Sequence, residues 1–277
     1  MKNSSKGFKI LMWVFIIAFL LISVFPFVWI LITSFKPEAE IHGSGAFSII
    51  AHNPTIQNYI TVIVDKHILR SVKNSFITAG ITTLYVVVVA SMTAYVIARF
   101  KFKGKSILMG IIIAVSMFPQ MILIGPIFNM FYKFNILNTY FISLAYCTIT
   151  LPSATWIMVT HFKQVPLALE EAAKIDGCSS WAILWKIIFP IAAPGVFATA
   201  IISFIAAWNE YLLYCTLNQQ ESMQSVPVRI SYLRGEYTIF WSEITAAAIV
   251  VIIPTLLMVL LFQKQIVAGI ANGAVKE

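Results

Sequence analysis

The chain has 277 residues, 60% of them hydrophobic and 11% charged, with a mean hydropathy of +0.88. A soluble domain carries about a quarter charged residues, so this composition excludes a water-soluble enzyme or nucleic-acid-binding domain. The formal net charge of +8 is accounted for by basic flanks facing anionic lipid. Cys147, Cys178 and Cys215 form neither a disulfide framework nor a metal-ligand spacing.

Six apolar runs approach or exceed the roughly 20 residues that cross a bilayer as a helix. A basic N-terminus (residues 1–9) with Lys2, Lys6 and Lys9 precedes the first, Ile10 to Phe35. That run is too long for a signal peptide and has no small-residue cleavage site after it, so it is read as span one. Residues 36–74 form the longest polar connection, with turns at Pro37, Gly43, Gly45 and Pro54. Its Asn58-Tyr59 and Asn74-Ser75 read, on physics alone, as a surface loop ending in a helix cap. Span two runs from Ser75 to Ala98 and span three from Ile107 to Phe128. Between them, Gly104-Lys105-Ser106 has the look of a phosphate-loop tail, but that motif needs a glycine at position 99, which is Arg99. Span three carries Pro119 and Pro126, and span four, Tyr140 to Thr160, carries Pro152. Each proline is expected to break or kink its helix, either facing a pore or as a packing kink.

A polar elbow (165–186) leads to span five, Ile187 to Leu213, which Pro190, Pro194 and Glu210 interrupt. At its far end stand Trp208, Asn209, Glu210, Tyr211 and Tyr214. The spacing of three puts the aromatics on one helix face, fit either for an interfacial belt or for stacking on a sugar ring. Glu210 is an ionisable group at membrane depth, which usually faces a cavity or a partner. An external loop (214–243) precedes span six, Ile244 to Phe262, and the tail (263–277) ends the chain. With the N-terminus inside, Lys2, Lys6, Lys9, Arg99, Lys101, Lys103, Lys105, Lys163, Lys174, Lys186, Lys264 and Lys276 are cytoplasmic, 12 of the 19 basic residues. The positive-inside rule therefore places both termini in the cytoplasm.

The elbow, from Pro166 to Gly195, is the most informative stretch. Glu170, Glu171, Lys174, Asp176 and Lys186 gain nothing in lipid, so it sits in water or against a partner. Val165, Leu169, Ala172 and Ala173 fall at helical spacing, Pro166 suits a helix start and Gly177 a stop, and Ser179 or Ser180 caps a second helix. Glu171-Ala172-Ala173, three residues, Gly177, nine residues, Ile187, then Pro190 resembles the EAA loop of ABC-importer permeases. The spacing matches throughout, and Phe189 replaces the usual leucine. Asp176 is similar to the carbohydrate branch. Further likenesses are Asn58-Tyr59, Asn74-Ser75, Ala94 to Arg99, the proline-bearing stretch at Pro119, Leu137 to Tyr140, Trp208-Asn209-Glu210, Val226-Pro227-Val228 and the tail from Val267 to Glu277. That tail resembles the maltose-type G subunit.

The resemblance implies an all-α membrane protein: six transmembrane helices, a permease domain at about 70–265, and a cytoplasmic coupling helix between spans four and five, as in type I ABC importers. It implies a transmembrane permease subunit of an ATP-driven sugar importer in a bacterial cytoplasmic membrane, not an enzyme. Coupling to a dimer of cytoplasmic ATPase subunits would fall to Glu170, Glu171, Ala172, Ala173, Asp176 and Gly177, with tail contacts from Gly273, Ala274, Val275 and Lys276. Trp208, Asn209, Glu210, Tyr211 and Pro119 would line the substrate path. A second, different permease and an extracytoplasmic sugar-binding protein complete the expected assembly. ATP and Mg would be held by the ATPase, with no cofactor on this chain. The rival expectation is a self-sufficient secondary transporter or channel, which needs coupling groups within the spans; only Glu210 and Glu243 are candidates, both near ends.

Overall fold

The computed structural model describes residues 6–235 and 238–274, with the side chains of the final helix described chiefly up to Leu257. The described residues are helical, with an isolated antiparallel bridge between Arg234 and Ile239. The main helices are α1 (Lys6–Ser34), α2 (Ile68–Arg99), α3 (Lys105–Ser116), α4 (Gln120–Lys133), α5 (Ile142–Gln164), α6 (Leu167–Ile175), α7 (Ser180–Ile191), α8 (Ala193–Trp208), α9 (Leu212–Leu217) and α10 (Trp241–Ala274). Among them α1, α2 and α5 are long and apolar enough to cross a membrane. The pairs α3–α4 and α7–α8 each add one span if each bent pair is counted as one. The apolar described part of α10, Trp241–Leu257, is shorter.

Prolines act differently from one site to another. The third apolar run breaks at Met117–Pro119, where α3 and α4 meet at 92°. The fifth breaks at Ala192, between Pro190 and Pro194, with a bend of 84°. Pro152, by contrast, does not break its span: α5 runs through it unbroken. Proline removes one helical N–H and sets its ring against a carbonyl one turn back, yet α4 likewise runs unbroken through Pro126. Burial alone does not separate the cases, because residues 113–119 at the first break are exposed whereas Ile188, Ala192 and Val196 at the second are buried.

The chain divides into two compact units, 1–68 with 230–255 and 69–229 with 256–277. In the first, Val62, Ile68, Leu233, Ala246 and Ala247 form the core. Asn58 is buried there, donating to the carbonyls of Ser34 (2.9 Å) and Lys36 (2.8 Å), and Tyr59 shares a 2.6 Å hydroxyl bond with Ser34. Asn58 thus satisfies the final carbonyl of α1, which a helix end leaves without a partner, and one two residues beyond it. The dipeptide is therefore an internal clasp and not a surface loop.

The second unit is built on α2, whose small side chains Ala79, Thr82, Ala90, Ser91 and Ala94 are buried. Small residues let helices approach closely where the surrounding lipid is as apolar as the side chains. Thr82 Oγ1 donates to the Ser143 carbonyl at 3.2 Å, and Ser91 Oγ lies 3.2 Å from Met158 Sδ. Val86, Met158, Phe162, Ile183, Ile188 and Val196 continue this core from α2 through α5 to α7 and α8.

Candidate functional site

The elbow forms as a helix, a glycine turn and a second helix. Pro166 sits at the N-cap of α6 in extended conformation (ψ 132). At the other end the Gly177 N–H donates to Lys174 O (3.0 Å) and the Cys178 N–H to Ala173 O (2.9 Å). This crossed pair is the Schellman arrangement, which needs its penultimate residue left-handed, and Gly177 has φ +80. Ser179 then caps α7, its Oγ accepting from the Ala182 N–H at 3.3 Å.

Side-chain direction separates two adjacent acids. Glu170 is buried and pairs with Arg99, the last residue of α2, and Arg99 Nη2 also donates to Val165 O at 2.7 Å. An ion pair out of water must be matched and hydrogen-bonded to be tolerated, and here it bolts the elbow to α2. Glu171 points out, together with Ala172, Lys174, Asp176 and Gly177. The expected apolar stripe is only half realised. Val165 and Ala173 are buried, but Leu169 and Ala172 are exposed, because Glu170, neutralised by Arg99, takes the inward position. The outward surface also carries Leu167, Ile175 (87% exposed) and Trp181. The outward face of the elbow is thus a charged ridge rimmed by bare apolar side chains.

The far end of the fifth run departs from expectation. Helix α8 stops at Trp208, and the chain leaves helical geometry before α9 begins at Leu212. Trp208, Tyr211 and Tyr214 therefore do not share a face. Trp208 is buried edge-on against Phe76 with ring centroids 5.2 Å apart, Tyr214 is buried beside Tyr146, and Tyr211 is exposed. Glu210 turns into the gap and starts α9. Its Oε1 accepts from the Leu213 N–H (2.9 Å) and its Oε2 from the Tyr214 N–H (3.1 Å). Gln120 Nε2, one residue past Pro119, donates to Oε1 at 3.0 Å. The proline break in the third run is thus tied to the break in the fifth. Asn209 is exposed and bonds back to Ile205 O.

Other residues singled out in the sequence converge as well. Asn74 and Ser75 are not caps, because α2 begins at Ile68; both are buried. Asn74 Nδ2 donates to Ser222 O and Gln224 O, each at 3.0 Å, and its Oδ1 accepts from Tyr140 OH at 2.8 Å. Ser75 Oγ accepts from the Val226 N–H, and Asn138 Oδ1 from the Gln220 N–H. Side-chain bonds thus pin residues 220–226 to α2 and to the turn before α5. Gly273 and Ala274 fall at the end of α10, and Val275 and Lys276 lie outside the described residues. Arg99 and Gln120 were missed as site residues. Arg99 carried the positive-inside signal, and Gln120 only its place beside a proline.

Residues 86–272, which contain the elbow and both breaks, match the family described as binding-protein-dependent transport system inner membrane component. The chain belongs to this family. It is 36% identical to the sulfoquinovosyl glycerol transport system permease protein SmoH of Agrobacterium fabrum, over 91% of this chain and 89% of that one. It is 37% identical to the trehalose/maltose transport system permease protein MalG of Thermococcus litoralis, over 97% of each. Its fold is shared with a chain of a bacterial ABC transporter involved in the import of the acidic polysaccharide alginate, with TM-score 0.82, 19% identity, and 95% and 99% of the two chains covered. The protein is therefore a multi-pass permease subunit of an ABC importer, a non-catalytic membrane component whose ATP hydrolysis belongs to a separate subunit. The resemblance drawn from the EAA spacing holds, and the relatives named above are transport permeases of the carbohydrate type.

Proposed function

We propose that this permease forms half of the translocation path of a sugar importer in the cytoplasmic membrane, paired with a second, different permease. The supporting observation is the likeness to sugar-transport permeases over more than nine-tenths of the chain. Six crossings accommodate the helices: α1, α2, the bent pair α3–α4, α5, the bent pair α7–α8, and α10, with both termini and the elbow on the cytoplasmic side. An ATPase dimer, holding ATP and Mg, docks on the outward face of α6, where Glu171 meets a basic residue of the ATPase. The exposed Glu171, Ala172, Asp176 and Gly177, rimmed by Leu167 and Ile175, support this reading. Glu170 contributes by holding α6 on α2 through Arg99. Closing of the ATPase dimer then pulls on α2 and α7 together, since the buried pair and the Gly177 turn join them. An external sugar-binding protein delivers the substrate, as the alginate transporter's structure with a pentasaccharide-bound periplasmic protein illustrates for that system. Trp208, Asn209, Glu210, Tyr211 and Pro119 remain the proposed path region, with Glu210 shaping it and exposed Asn209 and Tyr211 facing the substrate. Gly273 to Lys276 complete the ATPase contact.

The test is affinity purification of the tagged chain from its membrane in mild detergent, with identification of co-purifying proteins. Recovery of an ATPase and a second permease, with the ATPase lost in Glu171→Ala, is the expected result. A chain recovered alone that transports sugar in ATP-free liposomes would overturn the proposal in favour of a secondary carrier.

A further inference from the structure

The connection after α1 carries an apolar tip. Gly43 to Ala51 contains no charged side chain, and Phe47, Ile49 and Ile50 are 89%, 70% and 79% exposed. Large apolar side chains set together on a surface mark a place that something else covers. The tip is nonetheless rigidly built. Lys36, fully buried, donates from Nζ to Gly45 O (3.0 Å), Ala46 O (3.2 Å) and Ser48 O (2.6 Å), which uses all three N–H bonds of an ammonium group. Glu40 closes the far side by accepting from the backbone N–H groups of His52 (3.0 Å) and Asn53 (3.2 Å). Gly45 permits that closure, because a Cβ there would lie 2.6 Å from Glu40 Cγ.

The same lysine sets the depth of the tip. Its Nζ lies 5.3 Å from the centroid of the Trp29 ring. A helical side chain leans toward the N-terminus of its helix, so that ring lies no nearer the helix end than Trp29 itself. Trp29 is five residues, about 7.5 Å of rise, before Ser34. One nitrogen thus touches both Trp29 and three tip carbonyls, which folds the tip back along the flank of α1. About 20 residues cross the hydrocarbon layer, and counting from Ile10, just after Lys9, that stretch ends near Trp29. This is the depth at which tryptophan rings meet lipid headgroups. No residue in the apolar window of α1 is buried by the rest of the chain, which leaves its flank bare on this subunit.

We propose that Phe47, Ile49 and Ile50 form an interfacial anchor, a preformed apolar tip that inserts into lipid at the membrane face where α1 ends. Lipid is the occupant because Lys36 ties the tip to a membrane-crossing helix at the level of its boundary tryptophan. The anchor fixes the depth of α1 and keeps the first external loop flat against the membrane.

The test uses the assembled transporter in lipid vesicles, with Cys147, Cys178 and Cys215 replaced by alanine. Nitroxide labels are placed in Phe47→Cys, Ile49→Cys, Ile50→Cys and, on the polar side, His52→Cys. Leu20→Cys reports separately whether α1 crosses the membrane. The accessibility of each label to oxygen, which concentrates in lipid, is compared with that to a water-soluble nickel chelate. The expected result is oxygen access exceeding nickel access severalfold at all three tip sites and the reverse at His52→Cys. Nickel access at the tip with lipid-type access at Leu20→Cys would overturn the anchor while leaving the span intact. Exclusion of both reagents from the tip would mean that a protein partner covers it, which also overturns the proposal.

Discussion

The elbow and the far end of the fifth apolar run are made of similar parts, an acid beside a helix end and a bend in the chain, and they use them in opposite ways. At the elbow two neighbouring acids divide the work. Glu170 is spent on Arg99 inside, and Glu171 is held outward on the helix that this pair anchors. At the far end Glu210 is itself the anchor, taken up by Gln120 and two backbone N–H groups, and only Asn209 and Tyr211 face out. The difference teaches that an acid beside a helix end is either taken up as a joint or left outward, and that the partners within reach decide which.

The contrast is broken most directly at Arg99. Arg99→Ala leaves Glu170 buried without its cation and is expected to cost about 3–5 kcal/mol, read as a large fall in the melting temperature of the purified protein in detergent. A melting temperature equal to that of the parent would remove the pair as the elbow's anchor. Glu210→Ala strands the Leu213 and Tyr214 N–H groups and the Gln120 amide, an expected loss of about 1–3 kcal/mol. A double-mutant cycle with Gln120→Ala should give a coupling of about 0.5 kcal/mol or more, and additive losses would deny the joint between the two breaks. Gly177→Ala meets open space but forces a left-handed alanine, at about 1–2 kcal/mol. Hydrogen exchange should show that loss confined to the α6–α7 turn. Glu171→Ala should move stability by less than about 0.5 kcal/mol yet abolish retention of the ATPase. A comparable melting loss at Glu171 would erase the distinction from Glu170.

Much of the elbow was legible because its signals are local. Pro166, Gly177 and Ser179 act through their own backbone geometry, and each holds its expected place. The split between Glu170 and Glu171 was not legible, since it depends on Arg99, 71 residues earlier in the sequence. The far end was misread for a related reason. Spacing of three implies a shared face only while the helix continues, and Glu210 rewards a break by capping the next helix. Asn74 and Ser75 looked like caps because seven residues of α2 precede the apolar run.

The sequence by itself determined the membrane class, the apolar runs and the family, because hydropathy and a fixed motif spacing are read along the chain and need no partner. The tertiary structure decided which acid is buried as a joint and which is held outward, and where the polar residues of the loops are spent. Those outcomes depend on what lies across a helix interface. In a protein core, where an unpaired polar group is costly, the neighbour brought by the fold assigns each charged side chain its role.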